Sequence, residues 1–170
     1  RDCGAFSCAD LALFDRIKRN VELSYSDLQP GIDLMMKTTN EGVLADVNAA
    51  VDAVVHAGRT GMVGYCWGGR VTYLAACRIN IAAAVAYYGG GIAQLLDETP
   101  KCPIMFHHGE RDAFIPASDV AKIRAAVPKG VFHLYPANHG FNCTDRADYD
   151  VASARLAFER SSEFFRNHIG

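Results

Sequence analysis

The sequence predicts an α/β fold: a mostly parallel sheet with helices on both faces, formed by a single domain over residues 1–170. Two observations carry this expectation. Short, near-continuous apolar runs alternate with helical segments, the pattern of strands buried on both faces. Each apolar run is also closed by glycine, proline or a tight turn, as strand ends in such sheets are.

The elements follow in chain order. Residues 41–57 are alanine-rich, with Val43, Leu44, Val47, Val51, Val54 and Val55 on one helical face and Gly58 as a stop. Residues 60–65 (TGMVGY) form the first clear strand, and residues 70–78 a helix after a tight turn. A second strand spans 81–88 (IAAAVAYY), closed by Gly89, Gly90 and Gly91; a third spans 103–107 (PIMFH), closed by Gly109. Residues 116–127 form a helix with Pro116 in its first turn. Residues 131–135 (VFHLY) make a fourth strand, and 148–168 a long amphipathic helix. Right-handed crossovers place every strand's C-terminal end on one edge, where such sheets bind ligands.

Half the residues are hydrophobic and the net charge is −2. That balance gives no global pull toward nucleic acid or anionic membrane, and no apolar run reaches the ~18 residues needed to span a bilayer. Residues 1–10 lack the apolar core of a secretory signal. The six cysteines contain no CxxC pair, so a zinc ribbon is unsupported. Apart from Cys66 they are expected to be free thiols in a reducing cytoplasm.

Three turns carry reactive side chains. Gly64-Tyr65-Cys66-Trp67-Gly68-Gly69 places a thiol between a strand and a helix; Gly109-Glu110-Arg111-Asp112 offers an acid; Asn138-His139-Gly140-Phe141 offers a base. The order nucleophile, acid, histidine is that of a Cys version of the nucleophile elbow. An elbow residue has a strained backbone, so Gly64 and Gly68 are read as positions where bulk is excluded. A thiol at a helix N-terminus is acidified by the helix dipole, and the Trp67 backbone N–H is placed to donate to an oxyanion. Glu110 competes with Asp112 as the acid. His107 and His108 adjoin no carboxylate cluster, so no metal is expected. Tyr88 and Phe114, just past strand ends, are candidate pocket walls beside Trp67.

These residues resemble the dienelactone hydrolase (carboxymethylenebutenolidase) family. GYCWGG is similar to that family's cysteine elbow, and AVAYYGGGI, GERDAFIP, NHGFNC and LAFERSSEFF match it in order from about Glu41 onward. The resemblance implies an α/β-hydrolase fold, a Cys66–Asp112–His139 triad, no metal and no organic cofactor. It further implies hydrolysis of a small-molecule ester, lactone or thioester through a cysteine acyl-enzyme.

Two departures qualify it. The N-terminal strands, with the family's second oxyanion donor and an N-terminal acidic residue, are absent or incomplete, which leaves the 60–65 strand with an open edge suited to self-association. Cys143 stands where the family carries a substrate-carboxylate arginine, and an upstream arginine falls near Leu28. Arg146 is the candidate to compensate, and dienelactone itself is disfavoured as substrate. The alternative is a catalytically inactive hydrolase-fold remnant acting as a binding or structural module. A cysteine enzyme of glutamine-amidotransferase type is a weaker rival, because its histidine does not follow an intervening acid.

Overall fold

The computed structural model describes residues 8–25 and 27–170. The chain divides into two compact units, Arg1–Gly58 and Arg59–Gly170. In the first, α1 (Gln29–Met35) precedes α2 (Asn40–Val54). Thr39 caps α2, its hydroxyl accepting from the Gly42 N–H at 3.1 Å. Only Val43, Leu44 and Val47 of the expected apolar face are buried, and Val55 is exposed at the start of a single 3₁₀ turn that ends at Gly58. Among the described residues no strand precedes residue 61. An open cleft of about 440 Å³ in this unit, lined by Lys18, Glu22, Asp33 and Lys37 among others, holds none of the reactive residues. Cys8 is disulfide-bonded. That corrects the expectation of a free thiol there, since a lone cysteine pair leaves no spacing signature of the kind a disulfide scaffold does. Cys3 lies outside the described residues.

The second unit holds a four-stranded, all-parallel sheet in the order β1 (Gly61–Tyr65), β2 (Ala83–Tyr87), β3 (Ile104–Gly109), β4 (Val131–Tyr135). Between them lie α3 (Trp67–Arg78) and α4 (Ala117–Ala126); α5 (Val151–Ile169) follows β4. Side chains alternate across each strand, and the two faces have different cover. Gly61 faces Phe165 and Ile169 of α5, while Gly64 faces Gly68 and Thr72 of α3. Phe106 and Phe132 stack at 4.6 Å on the second face, near Tyr73 of α3 and Arg124 of α4. Helices therefore cover both faces, as the near-continuous apolar strands required.

Register builds a ring ladder on the α5 face. Tyr65, Tyr87, His107 and His133 are successive partners across the four strands, with ring centroids 4.7, 4.3 and 5.5 Å apart. Ser161 of α5 ties the ladder down. Its Oγ lies 2.9 Å from His107 Nε2 and 2.7 Å from the Tyr87 hydroxyl, and His107 Nδ1 is 2.8 Å from the Tyr135 hydroxyl. β1 and β4 are the edge strands of the sheet, and in β1 Val63 and Tyr65 are 42% and 45% exposed. Pro116 is the N-cap of α4, one place earlier than its expected first-turn position. Asp150 caps α5 by accepting from the Ser153 N–H at 2.7 Å.

Candidate active site

The elbow forms where β1 hands over to α3. Cys66 has φ 53° and ψ −121°, a strained conformation for a residue with a side chain. Its N–H donates to the Tyr87 carbonyl at 3.0 Å, so β2 holds the turn in place. Gly64 is needed because a Cβ there would overlap the Gly68 carbonyl and the Thr72 hydroxyl. The exclusion of bulk expected at Gly68 is not found: a Cβ there would meet nothing within 4 Å, and the crowding lies at Gly64, whose Cβ would meet the Gly68 carbonyl. At Gly69 a Cβ would come within 2.7 Å of the Tyr87 carbonyl, so this glycine allows α3 to pack closely on β2.

β3 and β4 deliver the partners to the same edge. His139 Nε2 lies 3.1 Å from Cys66 Sγ, and His139 Nδ1 lies 2.8 Å from Asp112 Oδ2. Asp112 is itself fixed, since its Oδ1 accepts the N–H groups of Phe114 at 2.8 Å and Ile115 at 3.1 Å. Both His139 and Asp112 are buried, whereas Glu110, the competing acid, is exposed. The His139 turn is braced by Asp148, which accepts from Asn138 at 3.1 Å and pairs with Arg146 at 3.3 Å. Arg146 lies against Gly140, within 2.7 Å of where a Cβ would stand.

The electrostatics favour an ion pair. Burial pushes the Cys66 thiol up, but the hydrogen bond and charge of His139, the Trp67 backbone N–H and Arg146 together hold it below its ordinary value. Burial pulls His139 down, yet its bonds to Asp112 and Cys66 carry it to about 9. Both directions favour a thiolate–imidazolium pair over the neutral thiol and imidazole.

The Trp67 backbone N–H donates to the Cys66 sulfur. Tyr88 is 2% exposed, and its ring centroid lies 5.1 Å from that of His139. It has φ 36°, with its N–H donating to the His107 carbonyl at 2.7 Å. Phe114 stands edge-on to His139 at 5.0 Å and is 68% exposed. The structure thus brings Cys66, Asp112, His139, Trp67, Tyr88 and Phe114 together. Sequence reading missed the Ser161–His107–Tyr135 network beneath them, and no pattern in the chain marks it. Among the described residues no group of three or more His, Cys, Asp or Glu side chains is placed to hold a metal ion.

Comparison with known proteins places this geometry in context. The Dienelactone hydrolase family model matches residues 16–169. Carboxymethylenebutenolidases from Pseudomonas putida and Pseudomonas knackmussii are each 36% identical over 134 residues, covering 73% of this chain and 57% of theirs. The chain thus spans little more than half the length of these curated relatives. A crystal structure from Klebsiella pneumoniae, described as a "Putative Dienelactone Hydrolase", is 30% identical with TM-score 0.76, covering 85% of this chain and 69% of that one. An esterase structure from Pyrococcus furiosus shares the fold at 14% identity and TM-score 0.61, over 75% and 62% of the two chains.

Proposed function

Because the chain belongs to the dienelactone hydrolase family, we propose that it hydrolyses a small-molecule ester, lactone or thioester through an acyl-enzyme on Cys66. The observation that carries this reading is His139 bridging Cys66 Sγ at 3.1 Å and Asp112 Oδ2 at 2.8 Å. The Cys66 thiolate attacks the carbonyl carbon, and the Trp67 N–H donates to the developing oxyanion. As the tetrahedral adduct collapses, His139 passes its proton to the leaving oxygen or sulfur. Neutral His139 then takes a proton from water, whose oxygen attacks the thioester, and Cys66 leaves as thiolate. Asp112 keeps the His139 Nδ1–H oriented throughout. A thiolate is a good leaving group itself, so the substrates it suits have activated leaving groups rather than amides. Tyr88 and Phe114 flank His139 as pocket walls.

The test pairs the parent chain with Cys66→Ala, using p-nitrophenyl acetate turnover and iodoacetamide labelling. Turnover and labelling that depend on Cys66 are expected. Equal turnover in both chains would sink the reading. The rival reading is an inactive binding or structural module, and a parent chain without turnover would support it. Self-association through the open β1 edge belongs to the same proposal. A single monomeric species in sedimentation at all concentrations would remove it. Among the described residues no helix is long and apolar enough to cross a membrane. The free thiols of Cys66, Cys77, Cys102 and Cys143 favour the cytoplasm as the setting, and the Cys8 disulfide weighs against it.

A further inference from the structure

Behind the triad, His108 stands out. It is fully buried at the end of β3, and neither ring nitrogen has a hydrogen-bond partner among the described residues. Its neighbour His107 is equally buried, yet both of its nitrogens are used, by Tyr135 and Ser161. Burial in this strand therefore does not by itself leave a ring unpaired. Buried polar side chains are rarely left so, and a single sequestered water is the usual partner where another polar group stands close.

The complementary group is Asp112. A carboxylate offers about four acceptor positions. Asp112 uses three of them, for the N–H groups of Phe114 and Ile115 and for His139 Nδ1–H. The remaining one is on Oδ2, the oxygen that holds His139. His108 and Asp112 bracket one tight turn, which the Asp112 N–H closes on the Gly109 carbonyl at 3.4 Å. Asp112 is the side chain whose charge bears most on His108, with Arg124 and His139 opposing it. Burial keeps the ring neutral, pushing it down to about 4. A neutral ring has one N–H to give.

We propose that a sequestered water accepts from the His108 N–H and donates to Asp112 Oδ2, making His108 a positioning residue for the Asp112–His139–Cys66 relay. The bridge stops the carboxylate from swinging off the imidazole, so it acts on the step in which His139 carries charge. This deepens the hydrolase reading and rests on it.

Two apolar variants, His108→Leu and His108→Met, test it in the full chain. Each is expected to lower kcat by about tenfold with KM held within about twofold. Each should also raise the pH midpoint of Cys66 alkylation by iodoacetamide. His108→Gln, which keeps an N–H donor, is expected to recover most of the rate and the parent midpoint. A purely structural histidine would move the melting temperature and leave the midpoint alone. Parent kcat and midpoint in either apolar variant overturn the proposal. Should both fail to fold, the imidazole ¹⁵N shifts of His108 decide. They are expected to differ between the parent and Asp112→Asn, and identical shifts overturn the proposal. A parent chain without Cys66-dependent turnover would instead sink the hydrolase reading, and the alkylation midpoint and ¹⁵N shifts would still judge the bridge.

Discussion

Replacing Asp112 with asparagine isolates what the carboxylate does. The amide oxygen can keep accepting from Phe114 and Ile115, which now bond Oδ1, so the turn stays folded. The amide NH₂ then replaces Oδ2 and faces the His139 Nδ1–H, donor against donor. The neutral ring is driven to the other tautomer, whose protonated Nε2 cannot take a proton from Cys66 or from water. His139 stands at about 9 against an ordinary 6.5. At ~1.4 kcal/mol per pH unit that is about 3 kcal/mol, supplied jointly by Asp112 and Cys66 against burial. The hydrogen bond to Asp112 is the largest single raising cause. Losing its share costs about 2–3 kcal/mol, and the wrong tautomer adds to that, so kcat/KM should fall about 100- to 1000-fold. A serine nucleophile in such an arrangement loses ~10⁴-fold, but a thiol already acidified needs less help. The sign in pH is also set. The parent is expected to be active between the lowered thiol pKa and about 9, where His139 loses its proton. In Asp112→Asn the alkaline limb moves down toward 6.5, because burial still opposes the charge, and the acid limb moves up as the thiolate loses its partner. Both limbs belong to the coupled pair. Initial rates on p-nitrophenyl acetate from about pH 5 to about pH 10 measure this. A variant within about threefold of the parent, or an alkaline limb that stays near 9, would refute the reasoning.

Three further outcomes are expected. Gly64→Ala forces a methyl onto the Gly68 carbonyl and Thr72 hydroxyl, and should cost about 3 kcal/mol or more in urea denaturation, with loss of turnover; parent-like stability would show that the elbow is not crowded. Ser161→Ala strands two buried groups, the Tyr87 hydroxyl and His107 Nε2. It should cost about 2–4 kcal/mol in the same assay while activity per folded molecule is retained, and a loss below about 1 kcal/mol counts against the network. Phe114→Ala removes an exposed ring standing 5.0 Å from His139. It should raise KM several-fold with kcat nearly unchanged, and an unaltered KM would exclude Phe114 from the pocket wall.

The sheet was legible because each strand is nearly all apolar. Residues 131–135 match β4 end to end, and the first three strands shift only at their ends. α3 begins three residues earlier than expected, at Trp67. Gly68 and Gly69 are poor helix formers, and only packing against β2 overrides that propensity. α1 went unread because it is short and carries Pro30 and Gly31 in its first turns. The triad was legible because a parallel sheet delivers every strand end to one edge, so chain order nominated Cys66, an acid and His139, and the family resemblance chose Asp112 over Glu110. Ser161 was not, since it meets His107 across 54 residues and a lone serine on an amphipathic helix carries no signal. His108 was weighed only as a metal ligand, because a missing partner is a property of packing and never of sequence.

The residues that carry the proposed chemistry all lie in one compact unit, Arg59–Gly170. The Cys66 N–H hangs on Tyr87, Tyr88 hangs on His107, and Tyr87 and His107 share Ser161. The elbow, the pocket wall beside His139 and α5 are thus successive links of one hydrogen-bonded chain. Such a chain makes the Cys66 strain sustainable, since a backbone at φ 53° persists only where its surroundings over-determine it. It also separates two properties of the site. The nucleophile's acidity depends on groups within this unit: His139, Trp67 and Arg146. Its power over unactivated esters would depend on how many donors meet the oxyanion, where each is worth ~10²–10³-fold, and the Trp67 N–H is the donor proposed. The ratio of rates on activated and unactivated esters therefore measures the oxyanion site independently of the triad.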